Sequence, residues 1–295
     1  MNKEVEKLLN EQSLYCYDLL DETMSKVKNK APLDKYIEYK RNGNTYDPDS
    51  KSMILQEIYK LLWGEICSQW FMKKDNGMIC SDNMTSAQNF VNSAMKKRNY
   101  FEKFKECKGT NQKNYSKQFM INVYNKHKNE LTELFNEYNL NTLIRVYHTI
   151  GNYCPVPRFF NSARAGYMNA DYDFWDLTLM KIKEYYDAER DPKEESRIIY
   201  DELFKTKKNP LPCKAWLDYF GSWESFVDRN YFGSFVDDDY NVIPFWEGHI
   251  WKGHSRKKIG LPEDKGKFTE AVEGIKQRIT SRGQEIESRL WEMIK

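Results

Sequence analysis

The stretch Y-H-T-I-G-N-Y-C-P-V-P-R-F-F-N-S-A-R-A-G at 147–166, followed by D-Y-D-F-W-D-L-T-L-M-K-I-K-E-Y-Y at 171–186, holds the most distinctive residues of the chain. A helical apolar pattern leads into it, and Gly151-Asn152 is a plausible helix stop. The prolines at 155 and 157 require extended backbone. The aspartates at 171–176 predict the start of the next helix, so the stretch is predicted to run from helix through loop to helix.

In the rest of the chain, the helical periodicity of the apolar residues predicts a mainly α fold. Apolar residues recur at three- and four-residue steps in 2–28, 52–63, 85–107, 115–138 and 267–295. Turn signals, Asn-Gly and Asp-Pro, mark a polar link at 41–52. Small β pieces are expected only near 64–82 and 231–251. We expect a single helical domain over 45–295 with an N-terminal helical extension over 1–44.

Composition limits the classes of function. The 295 residues are enough for a sizeable core, and they include 20 Tyr, 16 Phe and 8 Trp. A net charge of +2 gives no overall attraction to nucleic acid. No run approaches the roughly 18 apolar residues of a membrane span. Six cysteines without a C-x-x-C pair, in a chain without an apolar leader, predict reduced thiols in the cytoplasm.

His148 and Asn152 form the first candidate site. Four positions apart on a helix, they share one face, so an imidazole and an amide can converge where the chain enters the proline segment. Histidine is the usual general base near neutral pH, which predicts a catalytic role. The alternative is a core histidine, with Asn152 serving as a left-handed helix cap.

The loop after it offers a second site. Arg158, Asn161 and Arg164 together can bind a phosphate or a carboxylate. The alternative is ion pairing with the acidic stretch 187–202. Asp171, Asp173 and Asp176 could together bind a divalent cation. Asp173 and Asp176 are better interpreted as a capping box that begins the next helix.

The span 96–128 is the most basic part of the chain, and aromatic residues are interleaved with its cations. That combination suits a phosphate backbone with stackable bases. The alternative is a solvated helical surface whose aromatic residues face the core. The predicted nucleic-acid patch consists of Lys96, Lys97, Arg98, Lys103 and Lys105.

Motifs of known chemistry are absent. There is no phosphate-binding loop, dinucleotide fingerprint, nucleophile elbow or zinc-protease helix, so neither a cofactor nor a metal is expected. His249 and His254 are five residues apart across a glycine, which does not match metal-ligand spacing on a helix. His127, among lysines, is interpreted as a surface residue.

Six segments, taken as a set, carry a family resemblance. They are D-P-D-S-K-S-M-I-L-Q-E-I-Y-K-L-L-W (47–63), Y-H-T-I-G-N-Y-C-P-V-P (147–157), F-N-S-A-R (160–164), D-Y-D-F-W-D-L-T-L (171–179), A-W-L-D-Y-F-G-S-W-E-S-F-V (215–227) and R-I-T-S-R-G (278–283). In order and type they resemble an uncharacterised bacterial and phage family of unknown function. The resemblance covers roughly 45–290 and implies no particular activity. Gly64-Glu65-Ile66-Cys67 stands where that family continues with a Pro-Asn-Gly turn.

A smaller resemblance concerns Gly151, Asn152 and Asn161. They are similar to the second half of the HNH-like domain of modification-dependent restriction nucleases, where a Gly-Asn pair and a later Asn follow a helix. The upstream E-H-I-x-P, which holds the catalytic histidine of those nucleases, is absent here. A nuclease of this kind would have to use His148 instead.

Two functions are therefore expected at this point. The first is a nucleic-acid-associated protein, linked to phage–host conflict, with a degenerate HNH-like pocket at 148–176. It predicts that His148, Arg158, Asn161 and Arg164 line one pocket open to solvent. The second is a non-catalytic module that binds a protein partner, in which the H-T-I-G-N segment is structural.

Overall fold

The computed structural model describes residues 3–72, 77–109, 117–158, 160, 174–188, 211–250 and 261–294. These residues are mainly helical, which confirms the predicted fold class. Their helices are α1 (Lys3–Glu11), α2 (Leu19–Thr23), α3 (Pro32–Tyr46), α4 (Pro48–Lys51), α5 (Met53–Ile66), α6 (Ala87–Lys97), α7 (Tyr100–Lys103), α8 (Lys117–Lys126), α9 (Lys128–Glu137), α10 (Leu140–Tyr147), α11 (Trp175–Asp187), α12 (Leu211–Phe220), α13 (Trp223–Arg229) and α14 (Lys265–Ile294).

The N-terminal segment is broken into short pieces, so the single helix predicted over 2–28 is wrong. Tyr17 has extended backbone, and Asp18 begins α2 by accepting from the Leu20 amide at 2.9 Å. Two 3-10 turns, Leu14–Cys16 and Ser25–Val27, flank α2. Because the chain bends at these points, its apolar residues are divided between two buried clusters: Leu14 and Leu19 lie in the main core, whereas Leu20, Met24 and Val27 form a smaller one.

Helix α3 runs through the Asn-Gly signal at 42–43, so the predicted turn at the start of the 41–52 link is also wrong. It ends at Tyr46, and Asp47, the residue before Pro48, has a non-helical ψ of 118°, as the clash of proline with a preceding helical residue requires. Ser52 then caps α5, its Oγ accepting from the Leu55 amide at 3.0 Å. The predicted helix over 52–63 is confirmed within a few residues.

The β structure is small and partly non-local. Strand β1 (Ser81–Asn83) pairs antiparallel with β2 (Tyr153–Pro155), with Ser81 opposite Pro155. Isolated bridges join Met72 to Ile79 and Val236 to Val242, within the two regions where β pieces were predicted. Cys67–Phe71, within the first region where β structure was expected, is instead a π-helical turn that continues α5.

One hydrophobic core joins the early helices to the last one. Val5, Leu9 and Ile37 belong to the same buried cluster as the apolar stripe of α14. That stripe was predicted, and its buried members are Phe268, Val272, Ile275, Ile279, Ile286 and Leu290. The exception is Met293, which is 47% exposed near the helix end. The division at residue 44 stays a prediction, but the residues before it help to build the shared core.

Candidate functional site

The H-T-I-G-N segment crosses the middle of α14 at very short range. A Cβ atom on Gly151 would overlap the Ile279 carbonyl oxygen and lie 2.9 Å from the Gly283 amide nitrogen. Gly283 is covered on another side, since a Cβ atom there would lie 3.0 Å from the Cβ of Tyr15. Two glycines thus let three segments from distant parts of the sequence stack on one another.

Arg282 joins these segments from inside the protein. Its Nη1 donates to the carbonyl oxygens of Gly151 at 3.0 Å and Tyr153 at 2.7 Å, and its Nε donates to that of Asn230 at 3.2 Å. The guanidinium is fully buried, and burial lowers its pKa. The H-T-I-G-N and R-I-T-S-R-G segments are therefore two halves of one structural junction.

Asn152 acts through its side chain. Its Nδ2 donates to the Tyr147 carbonyl oxygen at 2.7 Å, which satisfies a carbonyl of the last turn of α10. Its backbone is part of the 3-10 turn Ile150–Asn152 and does not have the positive φ of a left-handed cap. This role ties Asn152 to the helix end rather than to the ring of His148.

His148 is fully buried among aromatic rings. Tyr39 and Tyr147 contact it edge-on, with ring centroids 4.7 Å and 4.9 Å away. Neither ring nitrogen has a hydrogen-bond partner, and the nearest carboxylate oxygen, on Asp18, is 4.0 Å from Nδ1. Burial, reinforced by the charges of Lys35 and Lys40, lowers the pKa of His148 to about 3. The imidazole is thus neutral and closed off from solvent, unlike the solvent-reached pocket residue that the first hypothesis requires.

This burial predicts a pH-dependent stability. In the unfolded chain the imidazole takes up a proton near pH 6.5, whereas in the folded protein its pKa is about 3. Below pH 6.5 the unfolded state therefore binds more protons, and the free energy of unfolding falls with the pH. We expect a loss of about 2 kcal/mol from this group between pH 7 and pH 5.

The measurement is urea unfolding at pH 7 and pH 5 for the wild type and His148→Phe. The phenyl ring keeps the edge contacts with Tyr39 and Tyr147 and cannot take up a proton. The variant is expected to lose about 2 kcal/mol less than the wild type over this interval. Equal losses in the two proteins would show that His148 is not buried as a neutral base.

A cleft of about 720 Å³ lies directly outside His148. It opens between the N-terminal segment, α10 and the middle of α14. The lining residues are Tyr15, Cys16, Asp18, Asn29, Lys30, Ala31, Pro32, Lys35, Ile144, Arg145, Val146, Thr149 and Thr280. Thr149 and Asp18 belong both to this wall and to the surroundings of His148, so the segment chosen from the sequence does border a cavity.

The charges of the cleft favour an anion. Lys30, Lys35 and Arg145 line it against the single carboxylate of Asp18. Lys35 donates to Asp18 at 2.7 Å and to Asp21 at 2.6 Å. Burial alone would lower the pKa of Lys35, but these two carboxylates raise it, so its ammonium is held in place.

The other two cations are available. No ion pair within 4.0 Å joins Lys30 or Arg145 to an acid among the residues that the structure describes. Arg145 is exposed on α10, one turn before Thr149, and Lys30 follows Asn29, whose φ of 66° turns the chain towards α3. The cleft therefore combines one ammonium that is held by two carboxylates with two exposed cations, of which Lys30 also acts at longer range to lower the pKa of Asp34.

The predicted phosphate-binding loop is described only in part. Arg158 is half-buried at the end of the proline segment and is not among the residues that line the cleft. Asn161 and Arg164 lie outside the described residues, as do Asp171 and Asp173. The convergence of these side chains with His148 stays a prediction.

Asp176 does not cap α11, so the capping-box interpretation is wrong for this residue. The N-cap is Phe174, which makes no side-chain cap bond, and Asp176 is fully buried. Its Oδ2 accepts from the Phe245 amide at 2.7 Å and contacts the His249 Nδ1 at 2.5 Å.

His249 was set aside in the sequence because its spacing from His254, which lies outside the described residues, fits no metal motif. Its ring stacks on Trp246 with centroids 3.6 Å apart, and its buried Nε2 has no partner. Sequence reasoning missed this aspartate–histidine pair because 73 positions separate its members. The signal available was a histidine within an aromatic segment, P-F-W-E-G-H.

In the described part of the basic span 96–128, several cations are exposed and three aromatic residues are buried. Lys96, Lys103 and Lys105 are exposed, whereas Arg98 pairs with Glu137 at 3.0 Å. Lys97 donates to the Glu263 carbonyl oxygen at 2.7 Å. The buried aromatic residues of the span are Tyr100, Phe104 and Phe119. These three rings pack in the core, whereas Phe101 and Tyr124 are half-buried, and nucleic-acid binding by this span stays a prediction.

Comparison with family models, curated proteins and solved structures finds no match to this chain. None of the described helices combines the length and apolar character needed to cross a membrane. The large apolar side chains exposed in the described part of the chain are Met53, Met72, Ile250 and Met293. They lie on four separate segments of the sequence, and binding of a protein partner stays a prediction.

Proposed function

We propose that this protein binds a nucleoside phosphate in the cleft between the N-terminal segment, α10 and α14. The observation that supports it is the pair of exposed cations, Lys30 and Arg145, at a cleft that also has an apolar wall. A guanidinium is the preferred partner of phosphate because its planar donors match two phosphate oxygens. The role is binding rather than nuclease chemistry, since His148 is neutral and closed off behind the wall.

The size and lining of the cleft suit such a ligand. A volume of about 720 Å³ is in the usual range for small-molecule sites. Tyr15, Ile144 and Val146 offer an apolar surface for a base, and the hydroxyl of Thr280 offers a partner for a sugar. The phosphate can belong to a free nucleotide or to the 5′ end of a nucleic-acid strand, which would connect the cleft to the nucleic-acid association predicted from the sequence.

Calorimetric titration tests the proposal. The ligands are adenosine and guanosine 5′-monophosphates, inorganic phosphate, and a short single strand of nucleic acid with and without a 5′ phosphate. We expect 1:1 binding of at least one nucleotide and a weaker response to inorganic phosphate. Arg145→Gln should weaken binding by about ten-fold or more, the value of one charge-assisted hydrogen bond. Preference for the phosphorylated strand over the monophosphates would identify a strand end as the ligand.

The matched control is Arg289→Gln, which removes an exposed arginine of α14 that forms an ion pair with Glu292. It should bind like the wild type. Absence of binding by every probe, or equal affinity in Arg145→Gln and the control, would overturn the proposal.

A further inference from the structure

A second cluster, away from the cleft, brings together three different metal-ligating side chains. Glu106 and Cys107 lie in the 3-10 turn Lys105–Cys107, and His127 is the residue before α9. One ligand atom from each, a carboxylate oxygen, the Sγ and a ring nitrogen, all lie within 4.8 Å of one another. The sequence gives no hint of it, because Glu106 and His127 are 21 positions apart and match no metal motif.

The distances within the cluster are those of a coordination sphere. The Glu106 Oε1 lies 3.1 Å from the His127 Nε2 and 3.7 Å from the Cys107 Sγ. Two ligands of a tetrahedral ion at ordinary zinc–ligand lengths are separated by about 3.5 Å. Only small side-chain movements are needed to place an ion between the three atoms.

The surrounding residues orient the ligands. The other ring nitrogen of His127, Nδ1, lies 3.5 Å from the Glu130 Oε1. A carboxylate is therefore next to the ring nitrogen that does not face the cluster. Metal-binding histidines commonly have such a partner. The imidazole also stacks on Phe104, with centroids 4.0 Å apart, and the Cys107 carbonyl oxygen accepts from the Asn122 Nδ2 at 2.8 Å. Both the turn and the ring are therefore fixed from outside the cluster.

We propose that Glu106, Cys107 and His127 form a binding site for a divalent transition metal of the zinc class. A thiolate, an imidazole and a carboxylate are the ligand types that zinc takes in proteins. On binding, the metal replaces the Cys107 thiol proton, which passes to solvent. The thiolate and the carboxylate then balance the two charges of the ion. Three protein ligands leave the fourth position to water, because Glu106 and His127 are both partly exposed.

The test is titration of the metal-free, reduced protein with Co²⁺, followed by absorbance. We expect one equivalent to give the near-ultraviolet charge-transfer band of a cobalt-bound thiolate, and Zn²⁺ to abolish it by displacement. Cys107→Ser should remove the band. Cys16→Ser, which changes an exposed free thiol elsewhere, should keep it.

Two further variants test the metal site independently, in case Cys107→Ser does not fold. His127→Gln changes a partly exposed side chain and should weaken Co²⁺ binding strongly while the thiol is intact. Glu130→Gln should weaken it about ten-fold, as expected for the group behind a ligating histidine. A wild type without the band, a band that persists in Cys107→Ser, or one that is lost in Cys16→Ser would overturn the proposal.

Discussion

Replacement of Gly151 by alanine is expected to destabilise the protein by about 3 kcal/mol or more. The added methyl group would overlap the Ile279 carbonyl oxygen and crowd the Gly283 amide. Both contacts are backbone atoms of a long helix, so neither can rotate away as a side chain would. The crossing must open, and the bonds from Arg282 to Gly151 and Tyr153 must lengthen with it.

Urea unfolding at constant pH measures this loss. The matched control is Gly64→Ala in α5, where an added Cβ meets nothing within 4 Å. Alanine is the better helix former there, so the control should gain about 0.5–1 kcal/mol. If Gly151→Ala were as stable as the control, the close crossing of the H-T-I-G-N segment over α14 would be wrong.

Arg282→Lys, although it keeps the charge, is expected to cost about 3 kcal/mol. The planar guanidinium bonds three carbonyl oxygens in different directions, on Gly151, Tyr153 and Asn230. A lysine ammonium is a single point on a flexible stem and cannot reach all three from the same backbone position. At least one buried carbonyl is then left without a partner, and the buried cation loses part of its solvation.

The control for this variant lies two turns along the same helix. Arg289 is exposed and bonds Glu292 at 2.6 Å, so Arg289→Lys should change the free energy of unfolding by no more than about 0.5 kcal/mol. Equal stability of the two lysine variants would mean that the Arg282 hydrogen bonds contribute little to folding.

Local patterns predicted the parts of the fold that depend on local interactions. The stripe of α14 follows the 3.6-residue period, and α5 has a serine cap before its apolar face. The same reasoning failed for 2–28, where the apolar residues keep helical spacing although the chain bends at Tyr17 and Met24. There the burial of separate short pieces outweighs the preference for one helix.

The sequence located the candidate site but did not predict the contacts that its residues make. The H-T-I-G-N segment was singled out for His148, yet its close contacts are made by Gly151 with residues about 130 positions away. The cleft cations Lys30 and Arg145 come from elements that no local pattern pairs. The Asp176–His249 pair and the Glu106–Cys107–His127 cluster likewise exist only once the chain has folded.

The stacking of Tyr15, Gly283 and Gly151 has a consequence for how the protein is made. The Tyr15 amide donates to the Glu287 Oε2 at 2.8 Å across 272 positions of sequence. On the ribosome, the first helices emerge long before the residues that cover them. The apolar side chains of the early segments therefore stay exposed until α14 has been synthesised. Nascent chains with such exposed surface depend on chaperones. The core cannot be complete before α14 has emerged, because its apolar residues belong to the same buried cluster.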